Sequence, residues 1–284
     1  MTHTVIQYGK SLNADTDRAP SPSIWGNCPV LEFKLLNTGF FFHDDFHGDV
    51  SDITTYTSGA ARGPYQNLSG DSGSSIEGVA PTTAGDHIGE LRLTTDGTAA
   101  DEVYFEGPGS GEALCGPVSV SDTAGDNREM WFEARVKKNS VADTVFPIYV
   151  GLATPVTATA TNALVDNTGA LVAIDAIGFH NLADDGDSLD TVHSGTTKVL
   201  AGEDAITMVA DTYIKLGIYF DGTRVYWYAN GVKVAPVAGI LPAAANFPDA
   251  ADLTMAALGK VGAGAAAGLL TIDWWRLAQR YPKA

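Results

Sequence analysis

Between Tyr213 and Val234 the chain reads YIKLGIYFDGTRVYWYANGVKV, two turn signals set between runs of strictly alternating apolar residues. Ile214, Leu216, Ile218 and Phe220 share one face of an extended segment, with Tyr213, Lys215 and Tyr219 on the other, which is the period of two that a half-buried strand requires. Asp221-Gly222 supplies the residues that tolerate a reversal. Val225, Trp227 and Ala229 then carry a second strand back, with Arg224, Tyr226 and Tyr228 opposite, and Asn230-Gly231 turns the chain into Val232 and Val234. Three antiparallel strands in 22 residues commit this region to a sheet, and such a sheet must bury its apolar face against a second layer.

The remainder agrees with an all-β body. In MWFEARVKK, Phe132, Ala134 and Val136 are expected inward and Glu133, Arg135 and Lys137 toward water. PIYVGLA and AIDAIGF are flatter apolar runs suited to central strands, Leu91 and Leu93 alternate with Arg92 and Thr94, Val103-Tyr104-Phe105 forms a further strand, and LLTIDWWRLAQRY closes the chain. Residues 58–89, rich in Gly, Ser, Ala and Pro, read as an extended loop at the sandwich edge. No amphipathic helix of convincing length and no fixed-period repeat is evident, which disfavours a propeller or solenoid. With 284 residues, 45% of them hydrophobic, one sandwich domain is the expectation.

Residues 1–40 differ. Apolar residues are scattered there (Tyr8, Ile24, Trp25, Leu31, Phe33) without a sustained period, so this stretch reads as an arm ahead of a sandwich over 41–284. Ile24-Trp25 and Val30-Leu31 beside prolines are costly to expose, and the arm is expected to lie along a surface, either its own sandwich or a neighbour's.

Charge and cysteine usage narrow the classes. With 17 basic against 34 acidic residues the formal charge is −17, a field that repels phosphate backbones and anionic lipid, so neither nucleic acid nor membrane is an expected partner. Cys28 and Cys115 are too few for a disulfide framework or a zinc site. The polar N-terminus lacks the apolar stretch of a secretion signal and no run approaches a bilayer span, which places the expected site of assembly in a cytoplasm.

Candidate chemistry is sparse. His43-Asp-Asp-Phe-His47 would place two imidazoles together on a helix, but on a strand four residues span about 13 Å, too far to share an ion without a bend. Gly70-Asp71-Ser72-Gly73 matches the surroundings of a serine-protease nucleophile without the preceding base and aspartate that chemistry needs. The Gly107–Gly111 and Gly262–Gly268 stretches lack the Lys-Ser/Thr ending of a phosphate cradle. Asp184, Asp185, Asp187 and Asp190 form an acidic loop whose spacing departs from the twelve-residue calcium loop. No catalytic residue, cofactor-binding residue or metal ligand is therefore assigned.

The order of FHDDF, WFEARVKK, PIYVGLA, AIDAIGF, IYFDGTRVYWYANGVKV and LTIDWWRLAQRY resembles the concanavalin A-like jelly roll of legume lectins, laminin G modules and family 16 glucanases. The resemblance implies two packed antiparallel sheets over most of residues 41–281. It also supplies a test for catalysis, because the glucanases carry Glu-x-Asp-x-x-Glu on one strand. With Asp175 set at the central aspartate, Ala173 and Gly178 stand where the two glutamates would be. A remaining hydrolytic pair would be Asp175 with Glu133. In style the chain further resembles jelly-roll capsid decoration (cement) proteins of tailed phages. That likeness implies a non-enzymatic virion protein on the outer capsid surface, bound to the major capsid protein, trimeric, assembled in the host cytoplasm, with Tyr8, Ile24, Trp25, Leu31 and Phe33 at a capsid or subunit interface. The alternative it implies is a carbohydrate-binding module on a tail or fibre, with a host glycan as partner.

Overall fold

A computed structural model describes residues 18–36, 38–46, 66–69, 74–79, 89–107, 128–155, 171–172, 174–182, 184–195, 197–249, 251–264 and 266–281. Among these described residues two short helices come first, α1 (Pro22–Trp25) and α2 (Val30–Leu36). Fifteen strands follow among them: β1 (Gly39–Asp44), β2 (Gln66–Ser69), β3 (Ser75–Val79), β4 (Glu90–Thr94), β5 (Glu102–Glu106), β6 (Met130–Lys138), β7 (Ile148–Ala153), β8 (Ala176–His180), β9 (Ser188–Ser194), β10 (Lys198–Thr207), β11 (Ile214–Phe220), β12 (Val225–Ala229), β13 (Val232–Lys233), β14 (Thr254–Lys260) and β15 (Leu269–Arg280).

They build two antiparallel sheets. One has eight strands in the order β13-β12-β11-β6-β15-β4-β3, with β1 also paired to β15; the other has seven in the order β10-β9-β8-β7-β14-β5-β2. The expected all-β sandwich of two antiparallel sheets is the observed architecture. Alternation explains it: Phe132, Ala134 and Val136 of β6, Ile214, Leu216, Ile218 and Phe220 of β11, and Val225 and Trp227 of β12 meet Ile148, Val150 and Leu152 of β7 and Ile177 and Phe179 of β8 in one buried core. Trp227 Nε1–H crosses that core to donate to the Gly178 carbonyl, 3.1 Å away, so a large core ring also joins the two sheets through a satisfied polar atom.

Local differences from the sequence expectation have identifiable causes. Asp221-Gly222 belongs to a four-residue loop, since Phe220 pairs with Val225, and the Asp221 carboxylate accepts from the backbone N–H groups of Thr223 and Arg224 to hold it closed. Within 58–89, read as a loop, the described parts contain β2 and β3. Both run at sheet margins beside β5 and β4, where pairing to a neighbour outweighs weak strand propensity. The N-terminal segment carries α1 and α2 instead of an arm without regular structure, with Pro22 opening α1.

Candidate functional site

The outer face of the eight-stranded sheet is where the structure departs furthest from sequence. Glu133 and Arg135, expected in water, are buried. Residues 18–25 lie across them. The Glu133 carboxylate accepts from the Ser21 backbone N–H at 3.0 Å and from Trp25 Nε1–H at 2.8 Å, both on Oε2. Burial pushes its pKa above the usual carboxylate range, and these donors oppose that rise. On the neighbouring strand the β6–β15 register slips between Ile272 and Trp274, a bulge that aims Asp273 outward beside Arg135. Arg135 Nη1 lies 2.8 Å from Asp273, and Arg18 grips the same carboxylate through Nε at 2.9 and 3.0 Å and Nη2 at 2.8 Å. The Arg135 guanidinium also stacks over Tyr213, 3.9 Å from the ring centroid, and Tyr213 donates its hydroxyl to Glu90.

Apolar contacts complete the attachment. Ile24 and Phe33 are 2% and 4% exposed and pack with Trp131, Tyr228 and Ala278. Gly217 of β11 makes this approach geometrically feasible, because a Cβ there would overlap Ile24 Cδ1. Trp25 is half-buried and meets Phe41 edge-on at 6.0 Å. Of the five residues expected at an interface, then, Ile24 and Phe33 face the chain's own sheet, Trp25 is shared between sheet and solvent, Leu31 is 50% exposed, and Tyr8 lies outside the described residues. Sequence reading missed Leu35 and Leu36, 71% and 67% exposed on the same helix, which the spacing of Leu31 and Leu35 would have signalled had α2 been recognised. Tyr226 and Tyr228 belong to this outer surface and not between the sheets; Lys233 Nζ stands 3.6 Å from the Tyr226 ring centroid.

The outer face of the seven-stranded sheet carries a second polar set. Cross-strand register places Tyr104, Leu258, Tyr149, His180 and Asp190 in one row and Glu106, Ala256, Gly151, Gly178 and Val192 in the next. Tyr104 donates to Glu106 at 2.9 Å, Tyr149 to the Leu152 carbonyl at 2.7 Å, and Lys260 pairs with Glu102 at 3.1 Å. The signal was present in EVYFE, where Glu102, Tyr104 and Glu106 alternate with Val103 and Phe105. Four strand intervals separate Glu106 from Asp190, about 19 Å, and four residues along β5 separate Glu102 from Glu106, about 13 Å. Glycoside hydrolysis uses carboxyl groups about 5 to 9.5 Å apart. Gly178, one position where a glucanase glutamate would stand, has no room for one: the Tyr149 ring occupies the space beside its Cα. Ala173 lies outside the described residues.

Asp175 is not on this face. It precedes β8 and lines a cleft of about 510 Å³ at one end of the sandwich with Gly195, Asn246, Phe247 and Asp249. Glu133 is on the other sheet with the core between, so these two carboxylates do not form a pair. In the acidic loop Asp190 accepts the Asp204 N–H at 3.0 Å and Asp204 accepts the Ser188 hydroxyl at 3.0 Å. Among the described residues no group of three or more His, Cys, Asp or Glu is arranged to hold a metal, and no helix is long and apolar enough to cross a membrane. His43 points outward from β1 beside Phe41, while His47, the Gly70–Gly73 tetrapeptide and Cys115 lie outside the described residues. Cys28 is half-buried, and burial raises its thiol pKa.

No protein-family model and no curated protein sequence matches the chain. Among solved structures, a protein of unknown function from Shewanella oneidensis MR-1 is similar over 90% of this chain and 95% of its own, at 13% identity and a TM-score of 0.55. Peanut lectin is similar over 87% of this chain and 99% of its own, at 13% identity and a TM-score of 0.50. At such identities the likeness concerns the fold, a lectin-type, concanavalin A-like jelly roll.

Proposed function

We propose that the chain is a non-enzymatic structural protein of a phage virion that decorates and stabilises the outer capsid surface as a homotrimer, docked on the major capsid protein. The observation that carries this reading is α2, which is pinned to the sandwich by Phe33 on one side and presents Leu31 and Leu35 to solvent on the other, with Leu36 exposed at its end. A helix held this firmly with an uncovered leucine face is suited to meeting a partner without reorganising. The wide separation of Glu102, Glu106 and Asp190 on the seven-stranded sheet, and the complete cover over Glu133 and Asp273, favour adhesion over hydrolysis. Capsid location and assembly in the host cytoplasm come from the resemblance in style. The test is co-sedimentation with heads prepared without this protein. Wild type is expected to bind saturably; the Leu31→Glu/Leu35→Glu chain is expected to bind on the order of a hundredfold more weakly, since each buried leucine contributes about 1.5–3 kcal/mol. Equal affinity of the two chains would remove α2 as the contact.

The end cleft favours one other reading, a carbohydrate-binding module on a tail or fibre. Its volume falls in the range of small-ligand sites, and Asp175, Asn246 and Asp249 offer acceptors and an amide beside Phe247. On that reading a glycan array yields binders whose affinity drops at least tenfold in Asn246→Ala. An array blank for the wild-type chain rules it out.

A further inference from the structure

The segment Arg18–Trp25 is held residue by residue. Arg18 is clamped by Asp273, the Ala19 carbonyl accepts from Lys215 Nζ at 3.1 Å, the Ser21 N–H goes to Glu133, the Ser23 hydroxyl donates to the Gly231 carbonyl at 2.6 Å, Ile24 enters the notch at Gly217, and Trp25 returns to Glu133. These recognising groups stand on β6, β11 and β15 and on the β12–β13 turn, all parts of one hydrogen-bonded sheet. The sheet is formed by its own ladders and core, so the groove persists whichever chain supplies the segment. Covering of an apolar face would need only Ile24 and Trp25. The added polar contacts read a sequence, with a basic residue three positions before a serine N–H and an Ile-Trp pair at the end.

We propose that this groove is a peptide-recognition site, and that in the assembled protein it accepts Arg18–Trp25 of a second copy, the cis arrangement being the closed form of the same contact. Three features point to a second copy as the occupant. The segment joins α2 through Gly26-Asn27-Cys28-Pro29, and four residues reach up to about 13 Å when extended, enough to swing α1 off its own sheet once the Cys28 N–H lets go of the Trp25 carbonyl and Cys28 leaves the outer cluster, while Phe33 keeps α2 in place. Exchange between identical chains recreates every contact without a new surface. Neighbours held on a lattice also raise the effective concentration of each other's segments. The inference rests on the reading of the chain as an assembling protein, but its site is the groove and not the leucine face of α2.

Two substitutions make the groove report which segment it holds. Gly217→Ala closes the notch to Ile24, and Ile24→Ala yields a segment that fits the closed notch; neither residue belongs to the core between the sheets. Both variants are co-expressed with different affinity tags and purified through the two tags in succession, beside controls in which each variant carries both tags on separate copies. Exchange seats the intact Ile24 side chain in an open notch and the shortened side chain of the Ile24→Ala segment in the closed one. The mixed species is therefore expected in at least tenfold excess over either same-variant control, and it should melt above both variants alone. Recovery of the mixed species no higher than the controls, with both chains folded by circular dichroism, would show that the segment closes only on its own sheet. No heads are present in this experiment, so that outcome leaves capsid docking through α2 standing.

Discussion

Asp273→Ala is expected to destabilise the fold by about 3–5 kcal/mol, the cost typical of removing one partner from a buried ionic contact. The carboxylate is fully buried, shared by Arg135 and Arg18, and aimed outward by the β15 bulge. Its loss takes away the counter-charge around which both guanidinium groups are arranged, and it unfastens the first point at which the N-terminal segment meets the sheet. Asp273→Asn keeps an acceptor but no charge, so its loss should be smaller. Urea titration of the three chains measures this directly. An unfolding free energy for Asp273→Ala within about 1 kcal/mol of wild type would mean that the Arg18–Asp273–Arg135 cluster does not hold the segment.

Lys138→Met is expected to act in the opposite sense. Lys138 ends β6 on its inward side, 1% exposed, with Nζ 3.4 Å from the Phe146 carbonyl. Burial depresses its pKa to about 8, partly offset by Asp187 and Asp185. The sign follows from linkage: the folded state holds this proton less tightly than the unfolded chain does, so unfolding takes up a proton between about pH 8 and the ordinary lysine range, and stability rises with pH across that window. Below pH 8 the full penalty applies, roughly 3 kcal/mol by the size of the depression. Methionine fills a similar volume without the charge. Its stability should exceed wild type at about pH 7, with the difference shrinking toward about pH 10. A wild-type stability that is flat from about pH 7 to 10 would contradict the assignment.

What the chain order conveyed and what it did not divide along the two faces of the same strands. Inward faces were legible because core packing imposes its period directly: Phe132, Ala134, Val136 and the β11 set are where alternation put them. Outward faces were not, because local alternation reports only that a residue is off the core and says nothing of what covers it. Glu133 and Arg135 read as solvent residues until a segment more than a hundred positions away supplied Ser21, Trp25 and, through Asp273, Arg18. Asp273 itself sits in a register slip that no pattern in TIDWW announces. Tyr226 and Tyr228 show the same limit: alternation put them opposite Trp227, but said nothing of Lys233, whose ammonium stands over the Tyr226 ring. At the end cleft, Asp175 was singled out for a role on a strand, but it stands before β8, where residues from separate loops converge.

Amide hydrogen exchange across residues 18–36, followed in the free protein and on heads, addresses the account at its centre. The N–H of Ser21 is bonded to a buried carboxylate and that of Phe33 to the Pro29 carbonyl. Both are predicted to be protected in the free chain, with α2 around Leu31 and Leu35 gaining further protection only on particles. Exchange of the whole segment at the unfolded rate in the free protein, or no added protection of α2 on heads, would contradict it.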